Sequence, residues 1–250
     1  MRKWLLLIWL LAPVGLAAFH FGPGSALLAR DLAASRLAAA RTATDNGDDV
    51  EAEKQYQLAL DQLPADAVSP ERRNQIRLAQ ARVRMVKGEL VEAIEDFHGI
   101  LADAVADPEQ ATLEQETRSS LARAQYYAGW IMRLEGAAKE DWKFQTEASR
   151  QNYRLLAESA LSDRDDEAGK SHRQNLEAVI RLARMDLKEL QAMPLPQECQ
   201  CVCKSGCVSE KVKKGKKKRS GEGQGAGEQK EGDARGKGAG TGKRPEGVGS

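Results

Sequence analysis

Four cysteines, three histidines and 5% aromatic residues leave this chain of 250 residues poorly stocked for most enzyme chemistry. His20, His98 and His172 lie far apart, and no nucleophile motif accompanies any of them. The sequence contains no H-E-x-x-H, no phosphate-binding P-loop and no G-x-S-x-G, which excludes the corresponding metalloprotease, nucleotide-hydrolysing and α/β-hydrolase sites. Carboxylates are plentiful, but Asp48, Asp49, Asp163, Asp165 and Asp166 fall at turns and helix caps, where solvation accounts for them. No catalytic residue and no cofactor-binding residue is expected. Strict apolar–polar alternation is also missing, so a sheet is not expected. The Gly221-x-Gly223-x-Gly225-x-Gly227 run follows no strand and opens no helix, which rules it out as a dinucleotide loop.

The net charge of +1 conceals a strong segregation. Arg2 and Lys3 supply +2, and residues 199–250 hold 13 basic and 6 acidic side chains, or +7. The stretch 4–198 therefore carries −8. An acidic body lies between a basic start and a basic tail.

Arg2 and Lys3 precede an apolar run of 18 residues, 4–21, in which His20 is the only strongly polar interruption. A positive start followed by an apolar stretch and small residues is the pattern of an export signal. Its length is just enough to cross a hydrocarbon core of roughly 30 Å as a helix. Trp4 and Trp9 suit the near interface, with the basic pair on the cytoplasmic side. An uncleaved single-pass anchor in the inner membrane with the body exported is the leading expectation. Cleavage after Ala17 or Ala18 is the alternative, although neither forms a clean A-x-A site. A buried helix of a soluble protein fits worst, because the run has no polar face. Only one such segment exists, so the chain is not a channel or transporter by itself.

From Ala26 to Met193 the residues are mostly strong helix formers. Apolar positions recur at three and four, as in Ile76, Ala79, Val83 and Val86, and again in Leu176, Val179, Ile180 and Ala183. Ser69-Pro70-Glu71 and Asp107-Pro108-Glu109-Gln110 each predict a helix start: a capping side chain, then proline, then acid in the first turn. Gln110 stands at the capping-box position.

The body also repeats itself. Gly47-Asp48-Asp49-Val50-Glu51-Ala52 leads to Tyr56, and Gly88-Glu89-Leu90-Val91-Glu92-Ala93 leads to Phe97, at an offset of 41 residues. Ala40 and Ala81 occupy matching small positions upstream. A looser third copy places Gly129 at the small position, Gly136 at the turn and Tyr153 at a displaced aromatic position. This pattern resembles the tetratricopeptide (TPR) repeat. The resemblance implies that glycine ends the first helix, a small residue permits close helix contact and an aromatic fills the remaining groove. Distances of 41 and 48 residues exceed the family's usual 34, and Arg36 and Arg77 replace its usual large aromatic. The expected fold is all-α: a TPR-like array of antiparallel helix pairs with an N-terminal anchor or signal helix and a disordered C-terminal tail. Residues 1–25 form the anchor or signal, 26–162 the repeats, and 163–193 a capping helix over the last apolar face. The rest divides into a Pro/Cys-rich segment, 194–208, and a Lys/Gly-rich tail, 209–250. Arg36, Arg77, Arg84 and Arg123 either line a groove for an acidic peptide or pair with surface acids.

All four cysteines fall in one stretch, Cys199, Cys201, Cys203 and Cys207. They supply enough thiolates for zinc or copper(I), but lack the two separated pairs usual in structural zinc sites. In an exported protein they could instead form disulfides, or serve no specific role. Lys211 to Arg219 holds seven basic residues among nine, a solvated run suited to an anionic polymer or lipid. Without interleaved aromatics it supports no specific nucleic-acid recognition.

In layout the chain is similar to bacterial membrane-anchored or exported TPR proteins, including the TPR members of Bat-type aerotolerance systems. Arg173-Gln174-Asn175-Leu176-Glu177 resembles the stretch that opens the last repeat helix of those proteins. That resemblance implies a membrane partner bearing a von Willebrand A domain. The expected function is a non-enzymatic envelope scaffold. The alternatives are a metal- or redox-responsive protein worked by the cysteines, and polyanion binding through residues 211–219.

Overall fold

Glycine in the left-handed backbone region ends three helices in the computed structural model, which describes Trp9, Leu11 and residues 23–63, 68–162 and 165–194. Gly47, Gly88 and Gly136 have φ values of 72°, 84° and 68°. Each donates to the carbonyl three residues back, and the next residue donates to the carbonyl five back. The pairs are Gly47 to Thr44 with Asp48 to Ala43, Gly88 to Met85 with Glu89 to Arg84, and Gly136 to Arg133 with Ala137 to Met132. Such a cap satisfies carbonyls left open at the helix end, and a Cβ in this conformation would cost roughly 1–2 kcal/mol.

The described residues are all-helical, with no strand among them. The α-helices are α1 (Pro23–Asp45), α2 (Asp49–Gln62), α3 (Pro70–Val86), α4 (Leu90–Val105), α5 (Ala111–Leu134), α6 (Lys139–Ser162), α7 (Asp166–Arg184) and α8 (Leu187–Ala192). Helices joined through the three glycine caps pack along each other, so α1/α2, α3/α4 and α5/α6 are antiparallel hairpins. The hairpins stack through α2 on α3 and α4 on α5, and α7 covers α6. Helix α3 also touches α5, and α8 returns to α5.

Local chemistry sets most helix starts. The side chains of Asp48, Ser69 and Asp165 accept from the N–H groups of Glu51, Arg72 and Ala168 at 3.1, 3.2 and 3.0 Å. The Asp107-Pro108 start differs from expectation. It opens a short 3-10 turn, Pro108–Gln110, before α5, and the Gln110 amide donates to the Asp107 carboxylate rather than closing a capping box. The single helix expected over 163–193 is two helices. Asp186 and Glu189 form a reciprocal capping box, at 2.8 and 3.0 Å, that starts α8. Arg133 on α5 donates to the carbonyls of Leu182 and Met185, holding the break from outside.

The interior is a chain of small cores strung along the stack. Ala40, Ala52, Tyr56, Ile76 and Val83 unite α1, α2 and α3. Leu78, Ala81, Ala93, Phe97, Leu121 and Ala128 unite α3, α4 and α5. Tyr153, Leu156 and Val179 join α6 to α7, while Trp130, Leu182 and Leu190 seat α8. No helix among the described residues is long and apolar enough to cross a membrane. The anchor expected at residues 4–21, apart from Trp9 and Leu11, lies outside the described residues. So do Cys199, Cys201, Cys203, Cys207, the basic run 211–219 and the rest of the tail.

Candidate functional site

The repeat positions come together in pairs that set how closely helices approach. Ala40, Ala52, Ala81 and Ala93 are completely buried. At Gly129 a Cβ would stand 2.6 Å from Thr146 Oγ1, and 3.5 Å from the Thr146 nitrogen and the Trp142 carbonyl oxygen. Helices α5 and α6 therefore meet there at glycine-only distance. Polar side chains tie the same pair: Ser149 donates to the Ala122 carbonyl at 2.7 Å, and Asn152 to Gln125 at 3.0 Å. Tyr56, Phe97 and Tyr153 are all buried between their own hairpin and the helix that follows.

The four singled-out arginines do not share one role. Arg84 donates to Glu53 at 2.7 Å and Asp96 at 2.6 Å, and Lys87 bonds to the same Glu53 and to Glu89. This network fastens α2, α3 and α4 together. Burial opposes ionisation of Glu53, yet hydrogen bonds from Lys87 and Arg84 outweigh it and hold the carboxyl below its ordinary value. Arg77 reaches Asn74 at 2.8 Å and Asp103 at 2.9 Å. Arg36 donates to Gln55 at 3.3 Å. These three are engaged inside the array. Arg123 is exposed, and its charge lies close enough to Tyr153 to oppose the upward shift of the phenol.

Recesses open where the first hairpin meets the second and where the third meets α7. At the first, Leu37 and Arg41 of α1, Tyr56 of α2 and Arg72 and Ile76 of α3 surround about 190 Å³. At the other, Arg123, Tyr126 and Tyr127 of α5, Tyr153 of α6 and Asn175 of α7 surround about 270 Å³. Burial pushes the Tyr153 phenol up to about 12, against the pull of Arg123. Its hydroxyl therefore keeps its proton at neutral pH. Arg41 and Asn175 were not legible as site residues. The available signal was the offset of 41 that aligns Arg41 with Arg82.

Nothing among the described residues assembles a metal site: no group of three His, Cys, Asp or Glu side chains is placed to hold an ion. His98 is exposed on α4. His172 is half-buried on α7, where burial lowers its pKa against the opposing charge of Asp165. Neither His98 nor His172 lines either recess. A broader cleft of about 660 Å³ beside α6 and α7 is lined by Trp142, Phe144, Val179 and Ala183. No family model matches the chain, and neither a curated protein nor a solved structure matches it.

Proposed function

We propose that the chain is a non-enzymatic, TPR-like scaffold that binds partner proteins in the bacterial cell envelope, held at the inner membrane by residues 4–21. The carrying observation is the recurrence of one helix cap at Gly47, Gly88 and Gly136, which stacks similar hairpins and leaves recesses between the first two and between the third and α7. Stacked hairpins of this kind present extended surface to another chain rather than enclosing a small substrate. The separation of charge favours the same division of labour. The acidic body offers the surface, and the basic run 211–219 adds attraction to an anionic polymer or lipid. A membrane protein with a von Willebrand A domain is the narrower partner class within this reading.

The test is site-specific photocrosslinking from positions 127 and 75, which line the two recesses, in intact cells. A discrete crosslinked protein from either position supports the scaffold. Crosslinks to nothing, with the chain membrane-bound and folded, refute it. Protease accessibility of a C-terminal tag in spheroplasts tests the topology separately. A protected tag overturns export of the body.

A further inference from the structure

The two recesses share a composition that the junction between them lacks. Each has a buried tyrosine, Tyr56 or Tyr153, and an exposed arginine, Arg41 or Arg123, with Arg72 also at the first, while among the described residues no Asp or Glu lines either one. Neither Arg41 nor Arg123 pairs with a carboxylate among the described residues. At the middle junction Phe97 stands in place of tyrosine. Arg82, 41 residues beyond Arg41, spans from α3 to α5 and donates to Ser120 at 3.0 Å and Glu116 at 3.2 Å. There the cation is neutralised by the protein's own acid, and the hydroxyl is gone. At the outer junctions the same position in the stack keeps a guanidinium with no anion paired to it among the described residues.

We propose that these two recesses are carboxylate-binding sites for an acidic segment of a partner protein, each seating one Asp or Glu side chain against Arg41 or Arg123. The inference rests on the scaffold reading and adds the chemistry of the partner. Guanidinium presents a planar fork of donors matched to a carboxylate. Tyr153 lines the same recess as Arg123 and keeps its proton, so its hydroxyl can donate to the same carboxylate. Asn175, across the recess on α7, offers an amide. The second recess offers one cation among the described residues, Arg123, which balances a singly charged carboxylate and under-compensates a phosphate dianion; the first offers Arg41 and also Arg72, whose guanidinium donates to Gln75 at 3.0 Å. Volumes of about 190 and 270 Å³ suit a side chain rather than a larger cofactor. The surrounding body carries −8, so an acidic segment is repelled except at these positions, which gives selectivity for the recesses.

The probe is a fluorescein-labelled peptide of alternating Glu and Ser, about sixteen residues long, with a Gln–Ser peptide as control. Anisotropy is read at about 0.15 M salt with the full chain in detergent. The basic residues of 211–219 are replaced by serine in every sample, which removes their independent attraction. The Glu–Ser peptide is expected to bind and the control not to. Arg41→Gln and Arg123→Gln should each weaken binding about tenfold, and Tyr153→Phe about threefold. Arg154→Gln, which removes an exposed cation paired with Glu158, should leave it unchanged. Binding that survives both recess substitutions, or that falls as far with Arg154→Gln, overturns the proposal. Tighter binding of a phosphoserine peptide through the same arginines overturns it in favour of a phosphate site. Retention of the crosslinked partner by the Arg41→Gln/Arg123→Gln double variant also overturns it, and leaves the scaffold reading standing.

Discussion

Gly129→Ala should destabilise the protein, although alanine is the better helix former. In a helix interior the substitution is worth about 0.5–1 kcal/mol in favour of alanine. Opposing it, the new methyl would sit 2.6 Å from Thr146 Oγ1. That oxygen belongs to a β-branched, buried side chain and donates to the Trp142 carbonyl at 2.9 Å. It cannot swing aside without breaking that bond, so α5 and α6 must separate. Overpacking of this kind costs about 1–3 kcal/mol, and the net expectation is a loss of about 1–2 kcal/mol. Thr146→Ala removes the obstructing oxygen, and the next neighbours lie at an ordinary 3.5 Å. In that background Gly129→Ala should stabilise by about 0.5–1 kcal/mol. Urea unfolding of the full chain and its three variants in detergent, followed by far-UV circular dichroism, measures the coupling. The same sign and size of effect in both backgrounds would refute the close approach at this position.

The Glu53 network carries a pH signature. Its carboxyl is held below the ordinary 4.5 in the folded protein, so its contribution is present above 4.5 and is lost as pH falls through the lower folded value. Acid titration of stability should show this loss, and Glu53→Gln should flatten it. Ala93→Leu, at a completely buried contact of α3 and α4, should cost about 1–3 kcal/mol in a urea titration, whereas Glu95→Leu, exposed on the same helix, should cost little. Ser69→Ala removes the acceptor for the Arg72 N–H and should lower stability by about 1 kcal/mol, with Ser69→Asp restoring most of it.

Interactions a few residues apart were the most legible. Helix-forming composition and the absence of alternation implied an all-helical body, because propensity and periodicity act within one or two turns. The Ser69 cap could be read in the same way, since donor and acceptor are three residues apart. Reading failed where a distant group entered. A continuous helix over 163–193 is locally reasonable, yet Arg133, about fifty residues upstream, takes the carbonyls exposed where it breaks. The arginines show the same limit. Arg77, Arg82 and Arg84 look alike in sequence, but each finds its acid on another helix.

What the sequence determined by itself is therefore the short-range part of this protein. It set helix content, the recurring 41-residue pattern and the segregation of charge into an acidic body and basic ends. Only the tertiary structure decided that Arg82 is neutralised by Glu116 while Arg41 and Arg123 are left facing recesses beside Tyr56 and Tyr153. The physical reason is range. A cap or a turn depends on neighbours along the chain, but whether a charge is paired depends on which helix folding brings within about 4 Å of it.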